Sequence, residues 1–156
     1  VTGSVENDQM QDIVMFEPFL THLVRDWQQG RPQLECALTV KNNSSAGIVA
    51  PTILAKALIN LLDNAADASP QKISVMVECN AHEAHMVIQD QGQGIADELI
   101  NEIGTKPYSS KPDGIGLGAF LAHEIIQKMG GKVNLSNHHA GGVVTSITLP
   151  LRSVDA

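Results

Sequence analysis

The stretch Leu58-Ile-Asn-Leu-Leu-Asp-Asn-Ala-Ala-Asp-Ala68 carries the pattern that decides the fold. On a helix at about 100° per residue, its leucine and alanine side chains gather on one side and predict a surface that packs on a core. Four amide or carboxylate side chains gather on the other side: Asn60, Asp63, Asn64 and Asp67. The stretch therefore predicts an amphipathic helix with a stripe of oxygen atoms along its polar face.

The polar stripe has two possible interpretations. A solvated helix face is the common one, but such faces favour Lys, Glu, Gln and Arg. Asn and Asp compete with the helix backbone for hydrogen bonds, so a stripe built from them lowers helix stability. Their oxygens suit Mg²⁺, which keeps several waters and bridges to phosphates. From the stripe alone, a solvated face and a magnesium site both remain open.

The composition is that of one globular domain. The chain has 156 residues, 43% of them apolar, and a formal net charge of −7. This negative charge argues against a nucleic-acid partner, and a bound polyphosphate would need screening by a metal ion, helix N-termini and a few lysines. No apolar run approaches the ~18 residues that span a bilayer, and nothing resembles a signal peptide. We therefore expect a cytoplasmic chain without membrane contact.

The two cysteines, Cys36 and Cys79, are too few and too far apart in the sequence for a zinc site or a disulfide framework. Each lies in phase with the apolar residues of a strand-like alternation. This pattern predicts buried, unreactive thiols.

The hydrophobic patterns predict an α+β fold. Helical spacing occurs over residues 16–29 and 118–129, and the helix with the polar stripe runs from Pro51 to about Ser69. Strands are predicted over residues 33–41, 72–79, 85–90, 132–137 and 143–149, with a turn over 42–47, a short helix over 97–103 and a loop over 104–118. Two strand pairs are joined too briefly for parallel crossovers. The order predicts a two-layer α/β sandwich, with a mixed sheet of about five strands and three main helices on one face.

Two glycine motifs follow the predicted helix. Asp90-x-Gly92-x-Gly94 places a carboxylate beside a backbone that a flat ring can approach closely, and a carboxylate there can accept a hydrogen bond from an exocyclic amine. Gly114-x-Gly116-x-Gly118 leads into a helix, whose N-terminus suits phosphates. A dinucleotide fingerprint would require a strand directly before the second motif, where this chain has a long loop rich in Pro and Ser.

Together with Asn60-x-x-x-Asn64-Ala, these motifs resemble the N, G1 and G2 boxes of the catalytic ATP-binding domain of sensor histidine kinases. That domain belongs to a superfamily shared with DNA gyrase, mismatch-repair and heat-shock chaperone ATPases. The resemblance covers residues from about 16 to 150. The loop that contains Tyr108-Ser-Ser-Lys111 is similar to that of the redox-responsive RegB/PrrB branch.

The resemblance implies ATP and Mg²⁺ as cofactors and assigns roles by position. Asn64 would be the Mg²⁺ ligand, with Asn60 beside it at the metal and phosphates, and Asp90 would bind the adenine amino group. Lys111 would be the lid cation and would act in catalysis with the two asparagines. The complete set implied to bind the cofactor is Asn60, Asn64, Asp67, Asp90, Gly92, Gly94, Ile95, Tyr108, Lys111, Gly114, Gly116, Leu117 and Gly118.

The chain departs from the family pattern at two places. Of the family's Phe-x-Pro-Phe before the lid, only Pro107 and Tyr108 match. Asp67 lies where many histidine kinases carry a basic residue and gyrase-like members carry Asp.

The residue at position 60 indicates the reaction type. Gyrase-type relatives place a water-activating Glu four residues before the metal-binding Asn, whereas this chain has Asn60 there. Because an amide is no general base, the sequence favours transfer of the γ-phosphoryl group over hydrolysis. The resemblance implies a histidine acceptor on the dimerisation domain of the same two-component kinase, with a response regulator downstream.

The acceptor motif of the family is His followed by an acidic residue and, a few positions on, Pro. His123-Glu124 has only the first two, and we interpret it as a surface helix pair. We therefore expect residues 1–12 to be a linker from an upstream dimerisation region, residues 13–152 to be the ATP-binding catalytic domain, and residues 153–156 to be a C-terminal tail. The resemblance implies that the chain is the cytoplasmic part of a membrane-anchored sensor kinase. Two alternatives remain: a serine kinase of the anti-sigma-factor type, whose N box carries the Glu that Asn60 replaces, and a nucleotide-binding module without catalysis.

Overall fold

A computed structural model describes residues 13–42, 46–100 and 115–153. Its elements in chain order are β1 (Ile13–Met15), α1 (Phe16–Gln29), β2 (Glu35–Asn42), β3 (Ala46–Val49), α2 (Pro51–Ala68), β4 (Lys72–Cys79), β5 (Glu83–Asp90), α3 (Asp97–Ile100), α4 (Ile115–Lys128), β6 (Lys132–Asn137), β7 (Val143–Pro150) and β8 (Arg152–Ser153).

The main sheet has five strands in the order β2-β4-β5-β7-β6. The β2–β4 pair is parallel, because helix α2 crosses between these two strands, and the remaining pairs are antiparallel. Strands β1, β3 and β8 form a separate small antiparallel sheet. The predicted two-layer sandwich with a mixed five-stranded sheet is confirmed.

Strict alternation in the central strands decides which side of the sheet the helices cover. The buried series of β4 and β5 includes Val75, Val77, Met86 and Ile88, while the residues between them are more exposed. Asp90 ends the buried series of β5 and is itself only 4% exposed. Because side chains alternate along a strand, its carboxylate lies on the helix-covered side.

Helix α2 begins at Pro51, a residue suited to the first helical turn, and its N-cap Ala50 has a left-handed φ of 55°. Its leucines, among them Leu54, Leu58 and Leu62, are fully buried, as the sequence predicts. The opposite side of the helix carries the polar stripe, and α4 packs beside α2. The core therefore fixes which way the stripe faces.

The structure differs from the sequence prediction at several boundaries. The short strands β1, β3 and β8 were not predicted, and Ala46 and Gly47, expected in a turn, lie in β3, where they pair with β8 and β1. Helix α4 begins at Ile115, before the predicted start at residue 118.

Several predictions fall on residues that the structure does not describe. They are the linker over 1–12, residues 101–103 of the short helix, the loop over 104–114 and the tail beyond residue 153. Among the helices of the described ranges, none is long and apolar enough to cross a membrane.

Candidate functional site

A pocket lies between α2 and the end of the sheet where Asp90 is found. Helix α2 supplies one wall, the strands β5, β6 and β7 supply the floor, and the loop after β5 supplies the opposite wall. Its lining residues are Leu61, Asn64, Ala65, Ala68, Asp90, Gly94, Ile95, Leu135, Val143 and Thr145. The lining is mostly apolar with a few polar groups, which is the usual character of a small-molecule site.

Two backbone N–H groups fix the Asp90 carboxylate in place. Gly92 N donates to Oδ1 over 2.9 Å, and Val143 N donates to the same oxygen over 3.0 Å. Within the described residues, no hydrogen bond reaches Oδ2, and Asp90 lines the pocket. The carboxylate is therefore oriented by one oxygen and can accept a hydrogen bond from a ligand with the other.

Glycines allow the chain to close tightly around Asp90. A Cβ at Gly92 would lie 2.6 Å from the carbonyl oxygen of Ala68, at the end of α2. A Cβ at Gly142 would overlap the Asp90 carbonyl oxygen, and Gly142 also has a φ of +87°. Both positions require glycine because any larger residue would push the loop away from α2 or from β5.

Ser69 joins the end of α2 to this loop. Its hydroxyl donates to the Lys72 carbonyl oxygen over 2.7 Å and accepts a hydrogen bond from Gln91 N over 3.1 Å. Gln91 directly follows Asp90, so Ser69 holds the helix end, the start of β4 and the motif loop together. Ser69 is 7% exposed.

The loop wall at Gly94 and Ile95 is bound by Asn137, the last residue of β6. Asn137 Oδ1 accepts from Ile95 N over 2.9 Å, and Asn137 Nδ2 donates to the Ile95 carbonyl oxygen over 2.7 Å. The bidentate contact links residues 42 positions apart in the chain. It places the loop wall opposite α2.

Asn60 and Asn64 face α4. A Cβ at Gly118 would lie 3.8 Å from Asn64 Oδ1 and 3.9 Å from Asn60 Cβ. Of the pair, Asn64 lines the pocket. Gly118 therefore borders the same polar surface as the two asparagines, and the structure brings the N-box and G2-box residues together at this edge of the pocket.

The other half of the polar stripe binds Trp27 of α1 and Arg31, which follows that helix. Arg31 contacts Asp63 Oδ1 at 3.2 Å and Asp67 Oδ1 at 3.3 Å, and Trp27 Nε1 donates to Asp63 Oδ1 over 2.9 Å. The Arg31 guanidinium also lies over the Trp27 ring, 5.5 Å from its centroid. Asp67, expected to bind the cofactor, does not line the pocket. It lies on the side of α2 that faces Arg31.

The remaining predicted residues divide into two groups. Gly116 and Leu117 lie in the first turn of α4, and that turn contains no acidic residue. Tyr108, Lys111 and Gly114 fall in the range 101–114, outside the described residues.

Thr145 lines the pocket but lies in none of the three sequence motifs. It is 6% exposed and lies on the buried side of β7, directly opposite Ile88 in the neighbouring strand. The signal was present, because Thr145 falls in phase with Val143 and Ile147 in the alternation of β7. Asn137, by contrast, carries no sequence signal of its role.

The donor set determines which metal the site fits. No cluster of three or more His, Cys, Asp or Glu side chains suited to a metal occurs in the part of the chain that the structure describes. The described residues thus offer no set of ligands for a transition metal, whereas a carboxamide oxygen such as that of Asn64, which lines the pocket, is the kind of ligand that Mg²⁺ takes alongside water and phosphate oxygens.

The thiols and histidines lie away from the pocket lining. Cys79 is buried as predicted, whereas Cys36 is only half-buried because β2 lies at the edge of the main sheet. Burial raises the pKa of the Cys36 thiol, and burial followed by the Glu17 charge raises the pKa of the Cys79 thiol. His123 and Glu124 do not form the predicted surface pair, because α4 packs against α2 and leaves both side chains half-buried. His123 Nδ1 has no hydrogen-bond partner in the described structure. His138 and His139 stack in the β6–β7 turn.

Comparison with known proteins gives consistent matches. The sequence profile described as histidine kinase-, DNA gyrase B-, and HSP90-like ATPase matches residues 50–153. Sporulation kinase E of Bacillus subtilis (strain 168) is 26% identical over 151 residues, which is 91% of this chain and 20% of that protein. Sensor protein CreC of Escherichia coli (strain K12) is 35% identical over 107 residues, 64% of this chain and 22% of that protein. The chain thus spans about a fifth of the length of these two relatives.

Solved structures with the same fold include two mycobacterial proteins. The mycobacterial sensor histidine kinase MprB superposes with a TM-score of 0.75 at 25% identity, covering 92% of this chain and 99% of the other. The ATP-binding domain of PrrB from Mycobacterium tuberculosis gives a TM-score of 0.71 at 22% identity, covering 90% and 97%.

Proposed function

Since the chain belongs to the family of histidine kinase-, DNA gyrase B- and HSP90-like ATPases, we propose that its pocket binds Mg-ATP and that it donates the γ-phosphoryl group to a histidine on another domain. The observation that carries the proposal is the orientation of Asp90. Its carboxylate is held through Oδ1 by two backbone N–H groups and is open to the pocket through Oδ2.

The adenine end of the site is the region around Asp90. An adenine amino group donates naturally to a carboxylate, and the apolar walls Leu61, Leu135 and Ile95 suit a flat aromatic ring. The glycines near Asp90 keep the main chain close to the ring plane. Thr145 extends the polar surface beside the carboxylate.

The phosphate end is the region where Asn60, Asn64 and Gly118 meet. We assign Asn64 as the protein ligand of Mg²⁺, which when bound would neutralise phosphate charge. That charge is a real obstacle, because the chain itself carries a formal net charge of −7. We propose the same roles at the nucleotide for Tyr108, Lys111 and Gly114 as the family resemblance implies. The domain boundaries and the membership of a redox-responsive branch also stay predictions.

The side chains at the phosphate end indicate transfer and not hydrolysis. Asn60 and Asn64 are amides, which cannot take a proton from water. The nearest carboxylate of the stripe, Asp63, is bound by Arg31 and Trp27. An imidazole acceptor needs no such base, because its neutral nitrogen already carries a lone pair. Positioning and electrostatic stabilisation then supply most of the catalysis.

Isothermal titration with Mg-ATP tests the assignment of Asp90. Asp90→Asn preserves an oxygen for Gly92 N and Val143 N but directs an amide N–H₂ at the adenine amino group. We expect ATP affinity to fall about 100-fold or more, since a charge-assisted hydrogen bond is replaced by two opposed donors. Unchanged affinity in this variant, with the wild-type thermal midpoint, would contradict the site assignment.

Labelled ATP tests the reaction. The chain alone is expected to show no stable label and little hydrolysis. With a histidine-bearing dimerisation domain supplied, we expect label that is lost in acid and retained in alkali, as for phosphohistidine. Label that survives acid on a serine partner would indicate the anti-sigma type of kinase. Binding without transfer to any acceptor would indicate a nucleotide-binding module.

A further inference from the structure

The side chain of Asn137 binds the main chain of Ile95 in both directions. The Nδ2 group donates to the Ile95 carbonyl oxygen over 2.7 Å, and Oδ1 accepts from Ile95 N over 2.9 Å. This exchange of one donor and one acceptor is the arrangement that a hydrogen-bonded residue pair makes between neighbouring antiparallel strands. A single side chain at the end of β6 therefore fixes the backbone at Ile95.

The backbone fixed in this way is a wall of the pocket. Gly94 and Ile95 both line it, whereas Asn137 does not. Gly94 has a φ of +84°, and a Cβ there would lie 2.9 Å from Asn137 Oδ1. The glycine thus leaves the space that the carboxamide occupies, and the two residues fit as one unit.

The β6–β7 hairpin holds both ends of the segment from Asp90 to Ile95. At one end, Val143 N donates to Asp90 Oδ1 over 3.0 Å. At the other end, Asn137 binds Ile95. The turn between these two contacts is closed by His138 N, which donates to the Gly142 carbonyl oxygen over 2.9 Å. Of the two contacts, only the one from Asn137 comes from a side chain of the hairpin, so a substitution can remove it without altering the hairpin backbone.

We propose that Asn137 is a positioning residue for the base of the nucleotide, which holds the Gly94–Ile95 wall against the ring without contacting the ligand. The inference rests on the proposed function, because it concerns the adenine end of the same pocket. A ring bound between Leu61 on α2 and Ile95 on the loop needs both walls in place. Helix α2 is fixed by the core, whereas the loop wall depends on Asn137.

Isothermal titration of Asn137→Ala tests the inference, with Asn134→Ala as the matched control. Asn134 is an exposed asparagine of the same strand and makes no side-chain hydrogen bond in the described structure. We expect Asn137→Ala to lower Mg-ATP affinity about tenfold and Asn134→Ala to leave it within about twofold. Affinity for magnesium tripolyphosphate, which has no base, should stay unchanged in both variants. Equal losses for ATP and tripolyphosphate would indicate general destabilisation and overturn the inference.

Amide hydrogen exchange at Ile95 gives a second readout that needs no nucleotide. Loss of the Oδ1 acceptor in Asn137→Ala is expected to accelerate exchange of the Ile95 N–H about tenfold, with no change in Asn134→Ala. Wild-type exchange rates in Asn137→Ala would show that the Asn137 side chain does not hold the Ile95 backbone, and would overturn the inference. A wild-type chain that fails to bind Mg-ATP would overturn the proposed function, whereas normal binding by both the wild type and Asn137→Ala would overturn only the positioning role.

Discussion

The two sides of the polar stripe on α2 both consist of amide or carboxylate side chains, but they contact different parts of the protein. Asn60 and Asn64 face α4, and Asn64 also lines the pocket, whereas Asp63 and Asp67 bind Arg31. The carboxylates are paired with a guanidinium within the protein, whereas the amides lie on the side of the stripe that faces α4. The difference teaches that helical periodicity identifies a polar face, and that packing against neighbouring helices decides which part of it is a site.

The arrangement has an electrostatic consequence. At the proposed phosphate end, α2 presents two uncharged amides towards α4, and the two carboxylates of the stripe are held by a guanidinium on the other side. Repulsion between a carboxylate and a phosphate falls with distance and with the presence of a cation between them. We therefore infer that the asparagine side binds nucleotide and that the aspartate side stabilises the fold.

The largest expected effect is on Mg-ATP affinity, and a pair of substitutions in α2 compares the two sides of the stripe. Asn64→Ala removes the proposed Mg²⁺ ligand, and we expect Mg-ATP affinity to fall about 100-fold or more. Asp67→Ala, one helical turn further on, should leave affinity within about twofold. Titration calorimetry of both variants, with thermal unfolding to confirm the fold, makes the measurement. Equal losses in the two variants would show that the whole stripe acts as one site.

Gly118→Ala tests how closely α4 borders the asparagine side. A Cβ there would lie 3.8 Å from Asn64 Oδ1, an ordinary contact distance, so the helix pair should accept it. Alanine in a helix is more favourable than glycine by about 1 kcal/mol, so we expect a higher thermal midpoint. We also expect Mg-ATP affinity to fall about threefold to tenfold, because the methyl group enters the space beside the proposed ligand. Increased stability with unaltered affinity would place the phosphates elsewhere.

The sequence was sufficient for the parts of the structure that depend on local pattern. The core side of α2, the α+β architecture and the position of Asp90 at the end of a buried strand all follow from periodicities of 3.6 and 2 residues. Strands β1, β3 and β8 have only 3, 4 and 2 residues, too few for an alternation to be recognised.

The contacts that complete the site were beyond prediction because they join distant parts of the chain. Asn137 is 42 residues from Ile95, and Arg31 is 36 residues from Asp67. Neither residue lies in a motif, and an exposed Asn or Arg has many possible partners in a single sequence. The division of the polar stripe into a ligand side and a structural side thus required the packing of α1 and α4.

Arg31→Met is expected to have the smallest effect and tests the structural side alone. Methionine keeps the aliphatic part of the side chain and removes the charge that Asp63 and Asp67 contact. Because the side chains of Arg31 and Asp63 are 32% and 41% exposed, solvent screens the ion pair, and we expect a loss of about 0.5–1 kcal/mol in the free energy of unfolding. The loss should shrink in high salt, and Mg-ATP affinity should stay within about twofold. Arg25→Met, at an exposed position of α1, the helix that ends just before Arg31, is the matched control and should change neither quantity. If Arg31→Met instead lowers Mg-ATP affinity as strongly as Asn64→Ala, the guanidinium holds the asparagines in register through α2, and the two sides of the stripe are energetically one unit.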